Sequence, residues 1–161
     1  MIHAYIKKGI ITIMSDYIIK IIPANLGRHM DANTIHSMEN YLQSRIKADE
    51  IQSIISPTPM FIDCGSNLEK ILCPFCGISL DFDWWGEAMD TANAKNFQDL
   101  TVMLPCCNRK SSLNDLHYHF PCGFANTVFQ ILNPLRMPDA EEVDCIQKLL
   151  GDTIRVIHTH V

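Results

Sequence analysis

The cysteines of this chain constrain its fold most strongly. Cys73 and Cys76 are spaced by three in the stretch Cys-Pro-Phe-Cys-Gly, and the adjacent pair Cys106-Cys107 follows later, flanked by proline and asparagine. Two cysteines at this spacing around a tight turn direct both sulfurs inward, and Gly77 tolerates the left-handed backbone that such a turn requires. The pattern predicts a zinc ribbon in which Cys73, Cys76, Cys106 and Cys107 bind one metal ion.

Length and composition indicate one globular unit. The chain has 161 residues, of which 47% are hydrophobic and 19% charged, enough to bury one sizeable core. The net charge is -5, and no cluster of lysine or arginine offsets it locally. Nucleic acid is therefore an unfavoured partner.

Cysteine usage and the N-terminal segment bear on location. Seven cysteines, an odd number, indicate a reducing compartment. Residues 1–14 are rich in isoleucine, but their uninterrupted apolar run is too short for a signal core or a membrane span. We therefore expect a cytoplasmic protein that is not bound to a membrane, with an N-terminal extension at 1–14 and a single α+β domain at 15–161.

A strand–helix–strand pattern occurs on each side of the cysteine segment. The first copy has an apolar strand at 17–22, a helix capped by Asp31 or Asn33, and an extended segment from Ile51 to Asp63 that contains two prolines typical of an edge strand. The second has a strand at 124–132, a helix whose capping box is Asp139 with Glu142, and a strand from Ile154 to Val161. Two such units predict a ferredoxin-like βαβ-βαβ fold.

The zinc ribbon, at about 66–120, would then be inserted between the second and third strands of that fold. Within it, apolar residues alternate with polar ones from Ile78 to Trp84 and again from Leu100 to Leu104, which predicts a hairpin, and a short helix is expected over 86–96. We expect Trp84 to pack inside the ribbon and Trp85 to face outward.

The sequence leaves two sources open for the fourth metal ligand. A symmetric ribbon would place a cysteine at position 104, which is leucine, so either Cys106 supplies the fourth sulfur or the ligand comes from elsewhere; the substitutes are His117, His119 and Cys122. Four thiolates leave no position for a catalytic water, so the predicted zinc is structural. The sequence accordingly favours a protein that is not an enzyme.

Several motifs resemble those of a known group of proteins. They are the Cys-Pro-Phe-Cys-Gly stretch, Trp84-Trp85-Gly-Glu-Ala-Met-Asp90, Pro105-Cys106-Cys107, Ser112-Leu113-Asn114-Asp115-Leu116 and Pro121-Cys122-Gly123-Phe124-Ala125. Over about residues 60–135 the chain resembles small bacterial proteins of unassigned function that carry an internal zinc ribbon. The resemblance implies a cytoplasmic bacterial protein with both adjacent cysteines in the metal site, and it implies no activity.

Two classes of function fit these features. The first is a non-enzymatic protein of regulatory or immunity type that acts by binding a protein partner, which suits an acidic chain with a rigid protrusion. The alternative is a nucleic-acid-associated zinc-ribbon module, although the basic and aromatic strand motif of such modules is missing. A metal-dependent enzyme ranks behind both.

Overall fold

A computed structural model describes the backbone of residues 2–7 and 10–161 and the side chains of residues 15–161. The strands in chain order, β1 to β10, are Ile2–Lys7, Ile10–Ser15, Tyr17–Pro23, Glu50–Ile62, Lys70–Leu72, Thr101–Met103, Lys110–Ser112, His117–His119, Gly123–Leu132 and Ile154–His160. The helices α1 to α3 are Ala32–Arg45, Phe82–Asn93 and Ala140–Leu150, and short 3-10 turns lie at Gly65–Asn67 and Leu113–Asp115. The mixed α+β class predicted from the sequence is confirmed.

The main sheet has four antiparallel strands in the order β10-β3-β9-β4. The two most apolar strands, β3 and β9, lie at its centre, and β4 and β10 lie at its edges. Pro57 and Pro59 fall within β4, where the register against β9 shifts between Ile55 and Met60. Proline lacks the N–H group that a ladder needs, so the register shift lies at the two prolines.

Helices α1 and α3 cover one face of this sheet. Their first turns are fixed by the predicted caps: the Asp31 carboxylate accepts a hydrogen bond from the Thr34 N–H, and Asp139 forms a reciprocal capping box with Glu142. The apolar stripes of both helices pack on the central strands in one buried cluster: Ile19, Ile21, Ile35, Met38, Leu42, Ile46, Phe129, Ile131, Ile146 and Leu150. The two helices therefore bury one face of the central strands.

The segment between β4 and β9 forms a second layer with its own core. Ile71, Leu80, Leu104 and Leu113 are nearly or fully buried there, and Phe124 of β9 belongs to the same cluster. The Phe124 ring lies 5.1 Å from that of Phe61 in β4, measured between centroids. The insert therefore shares its core with the sheet and packs directly on it.

The predicted ribbon hairpin is wrong in detail. Residues from Phe82 onward form α2, because the Asp81 carboxylate caps the helix by accepting from the Asp83 and Trp84 N–H groups at 2.7 and 3.3 Å. The returning segment, β6, pairs with β7 and not with the residues from Ile78 onward. Alternation over 78–84 is too short to decide between a strand and the start of a helix, and the cap decides it.

The N-terminal strands β1 and β2 pair with each other in a two-stranded antiparallel sheet. The predicted extension at 1–14 falls on this segment, of which Met1, Lys8 and Gly9 lie outside the described residues. Among the helices of the described ranges, none is both long and apolar enough to cross a membrane.

Candidate metal site

The first half of the site is the turn that follows β5. The Cys73 N–H donates to the Ile78 carbonyl at 2.9 Å, and the Gly77 N–H donates to the Cys73 carbonyl at 3.0 Å. Gly77 has φ +71, a left-handed conformation that glycine adopts at little cost. These bonds close a tight turn that brings Cys73 and Cys76 to one side.

The second half repeats this turn after β6. The Leu104 N–H donates to the Arg109 carbonyl at 2.9 Å, and the Asn108 N–H donates to the Leu104 carbonyl at 2.9 Å. Asn108 takes the place of Gly77 with φ +54, since asparagine is among the residues that tolerate left-handed backbone. Aligning the two turns by these bonds pairs Leu104 with Cys73, Cys106 with Phe75, and Cys107 with Cys76. Leu104, where a symmetric turn would have a cysteine, is fully buried in the core of the insert.

The two turns face each other and bring four sulfur atoms together. The Sγ atoms of Cys73, Cys76, Cys106 and Cys107 all lie within 4.8 Å of one another. The Cys73 and Cys107 sulfurs are 3.8 Å apart, and those of Cys76 and Cys106 are 3.4 Å apart. A cluster of this size could hold a metal ion.

Burial and hydrogen bonds shift the pKa values of Cys73 and Cys106 in opposite directions. Burial opposes ionisation of Cys73, but the N–H groups of Phe75 and Cys76 both donate to its Sγ at 3.4 Å, and together with neighbouring thiols they lower its pKa to about 6. Burial, reinforced by hydrogen bonds with the other thiols, raises the pKa of Cys106 to about 12. Without a cation, the Cys73 thiol therefore ionises more readily than the Cys106 thiol.

The three alternative ligands lie outside this cluster. His119 directs its Nδ1 toward the Glu69 carboxylate at 3.7 Å, and His117 is exposed at the other end of β8. Cys122 is buried with Cys64 in a separate apolar cluster that includes Ile22, Val128 and Ile157 of the sheet, where burial raises the pKa of both thiols. Within the described residues, the four cysteines of the two turns form the one group of three or more histidine, cysteine or acidic side chains positioned to hold a metal.

Trp84 and Trp85 are both half-buried and both pack against the core of the insert, so the prediction that Trp85 faces outward is wrong. Trp85 donates its Nε1–H to the Tyr118 hydroxyl at 3.2 Å and packs edge-on against Phe61, with ring centroids 5.9 Å apart. Trp84 instead lines an open cavity of about 280 Å³ between α2 and β6, together with Met103. Residues 84 and 85 face different directions because they lie on a helix, whereas the prediction placed Trp84 on a strand.

Three exposed apolar side chains lie close in sequence to the four cysteines. Phe75 and Ile78 in the first turn are 50% and 55% exposed, and Met103 beside the second turn is 57% exposed. The Arg109 guanidinium lies over the Phe75 ring, 5.0 Å from its centroid, and so bridges the two turns. We call Phe75, Ile78 and Met103 the turn patch.

A buried polar residue that the sequence analysis left without a role joins the insert to the sheet. The Asn114 side chain accepts from the N–H of Phe124 and from Nη1 of Arg155, both at 3.1 Å, and donates to the Ala24 carbonyl at 3.2 Å. Its own carbonyl accepts from Arg155 Nη2 at 2.7 Å. The Ser-Leu-Asn-Asp-Leu motif pointed to this position, but its partners are distant in sequence.

Comparisons with models of known protein families, with curated proteins and with solved structures found no match to this chain.

Proposed function

We propose that the four cysteines bind one structural zinc ion. A Zn–S bond of about 2.3 Å places the sulfurs of a tetrahedron about 3.8 Å apart, and the separations of 3.8 and 3.4 Å suit that size. Four thiolates fill the coordination sphere of zinc, so the ion joins the two turns and leaves no position for a catalytic water. Amide donors to Cys73 are the outer contacts expected around a metal-bound thiolate.

The proposed fold is ferredoxin-like, with a zinc ribbon inserted between its second and third strands. The strand order β10-β3-β9-β4 and the two helices on one face support the first part. The pair of matching turns supports the second part, although α2 lies between them in place of a plain hairpin.

The proposed activity is binding to a protein partner, in a regulatory or immunity-type role. One observation carries this proposal: the turn patch exposes three large apolar side chains in or directly before the two turns that the metal would join. Apolar groups held in a fixed arrangement are typical anchors of protein interfaces. The net charge of -5 supports a protein over a nucleic acid as the partner. The seven free thiols and the motif resemblance support a reducing, cytoplasmic and bacterial setting.

Metal content tests the zinc proposal. The purified chain should contain one zinc per molecule, and Cys76→Ser or Cys107→Ser should lose it. The matched control is Cys145→Ser, which changes a thiol on α3 outside the cluster and should keep full zinc. Full occupancy in the Cys76 and Cys107 variants would refute the ligand assignment.

A separate experiment tests the interaction. Tagged wild-type chain and a variant with Phe75, Ile78 and Met103 all changed to serine are purified from the same cells, and the co-purifying molecules are identified. A protein bound in proportion to the wild-type chain should be lost from the triple variant. The control variant Leu135→Ser should retain it, because Leu135 is an exposed leucine (78%) outside the turn patch. An unchanged set of proteins, or nucleic acid as the bound species, would contradict the proposal.

A further inference from the structure

The cavity between α2 and β6 has apolar walls and opens beside the turn patch. Its volume is about 280 Å³, and its apolar lining residues include Trp84, Ala88, Val102 and Met103. Met103 also belongs to the turn patch, so the cavity continues the surface that we infer to bind a protein partner. A partner seated on the turn patch would therefore lie directly at the mouth of this cavity.

Three charged side chains line the cavity, and one of them has no counter-ion. Lys95 Nζ lies 3.0 Å from an Asp99 carboxylate oxygen, and this hydrogen bond helps to lower the pKa of Asp99 to about 2, so the two charges neutralise each other. Among the described residues, no basic nitrogen lies within 4.0 Å of the Glu87 carboxylate, and α2 itself contains no lysine or arginine. The cavity therefore has one carboxylate whose charge no neighbour neutralises.

The indole of Trp84 and the carboxylate of Glu87 both attract a cation. Tryptophan is the aromatic side chain with the strongest attraction for an ammonium or guanidinium group. Lysine and arginine combine such a group with an aliphatic stem that packs on apolar surface. A purely apolar side chain in the cavity would remove water from Glu87 without replacing it, and an acidic one would meet a like charge. The chemistry of the cavity therefore favours a basic side chain.

We propose that the cavity binds one lysine or arginine side chain of the protein partner, with the stem against Trp84 and Met103 and the cationic group at the Glu87 carboxylate. This inference rests on the proposed protein interaction and adds the chemistry of the partner: its contact segment carries a basic residue beside the apolar residues that meet the turn patch. The net charge of -5 favours the approach of such a segment.

NMR titration of the zinc-loaded full chain measures this preference without the partner. The probes are the N-acetyl amides of lysine, arginine, norleucine and glutamate, of which norleucine has the lysine stem without its charge. The lysine and arginine probes should shift the indole N–H resonance of Trp84, which is assigned by its loss in Trp84→Phe. The norleucine and glutamate probes should bind about threefold more weakly or worse. Added salt should weaken the binding of the lysine probe and leave that of the norleucine probe unchanged.

Two matched variants test the role of the carboxylate in the same titration. Glu87→Gln should weaken the lysine probe about threefold or more, because it removes the charge and keeps the size of the side chain. Asp90→Asn is the control, since it removes the same charge from an exposed acid of α2 outside the cavity and should change the affinity by less than about twofold. A norleucine or glutamate probe that binds as tightly as lysine, or an affinity that Glu87→Gln leaves unchanged, would overturn the proposal.

Co-purification separates this inference from the proposed function. Glu87→Lys should lose the partner as the triple variant of the turn patch does, and Asp90→Lys should retain it. A protein that the triple variant loses and Glu87→Lys retains would show that the turn patch binds a partner whose basic side chain does not enter the cavity, which overturns this inference alone. If the triple variant changes nothing, the proposed interaction fails, and the probe titration still decides whether the cavity binds a basic side chain.

Discussion

The link between insert and sheet should depend on Asn114, which is only 5% exposed. Substitution by alanine removes the acceptor for the Phe124 N–H and for one Arg155 nitrogen, and removes the donor to the Ala24 carbonyl. Arg155 keeps its bonds to the carbonyls of Asn114 and Cys122, so the charge itself stays paired. Most of the lost stability should therefore come from the Phe124 N–H, which would have no hydrogen-bond acceptor.

The magnitude follows from those lost bonds. Phe124 is fully buried, so its N–H would lack both a protein partner and water, at a cost of about 1–3 kcal/mol. The lost bond to the Ala24 carbonyl adds about 1 kcal/mol. Asn114→Ala should therefore lower the free energy of unfolding by about 2–4 kcal/mol, a large part of the total for a small domain.

Urea unfolding of the zinc-loaded protein measures this loss as a lower midpoint at an unchanged slope. Asn93→Ala is the matched control, because Asn93 is exposed at the end of α2 and its replacement should stay within about 0.5 kcal/mol of the wild type. A loss below about 0.5 kcal/mol for Asn114→Ala would refute the reasoning, since water would then replace the side chain without penalty.

Two further predictions concern the tryptophans and an ion pair. Trp85→Ala should lower the free energy of unfolding by about 2–3 kcal/mol in urea titrations. Trp84→Ala should lower it by less, because both side chains pack on the core of the insert but Trp85 also makes ring contacts and a hydrogen bond. Equal losses would contradict this ranking. Glu142, hydrogen-bonded to Arg136, has its pKa lowered to about 2 against about 4.3 when unfolded. Its stabilisation is thus present above about pH 4.5 and is lost as the pH falls toward 2, so the gap in stability between wild type and Glu142→Gln should narrow over that range. A difference in stability between wild type and Glu142→Gln that stays constant with pH would contradict the predicted role of the Glu142 carboxylate.

Local signals were sufficient for much of the fold. The caps at Asp31 and Asp139, the apolar central strands and the prolines of β4 act on neighbours in sequence, and each has the predicted effect. The error over 78–84 has the same origin, because a short alternating stretch fits either a strand or a helix start, and the Asp81 cap selects the helix.

The candidate site depended on information that is not local. The spacing of Cys73 and Cys76 indicates a turn, but whether Cys106 reaches the same point depends on how two distant turns face each other. Leu104 lies where a symmetric second turn would have a cysteine ligand, but the sequence does not say which side chain takes that place. The hydrogen bonds between Asn114 and Arg155 join residues 41 positions apart, and local sequence patterns do not predict such a contact.

Zinc X-ray absorption of the purified, metal-loaded protein tests the central claim most directly. The claim is that two matching turns supply four thiolates, with Cys106 in place of a cysteine at position 104. The spectrum should fit four sulfur atoms at about 2.3 Å and no nitrogen or oxygen ligand. A first shell of three sulfurs with one nitrogen or oxygen would show that one of the four thiols is not a ligand and would contradict the account.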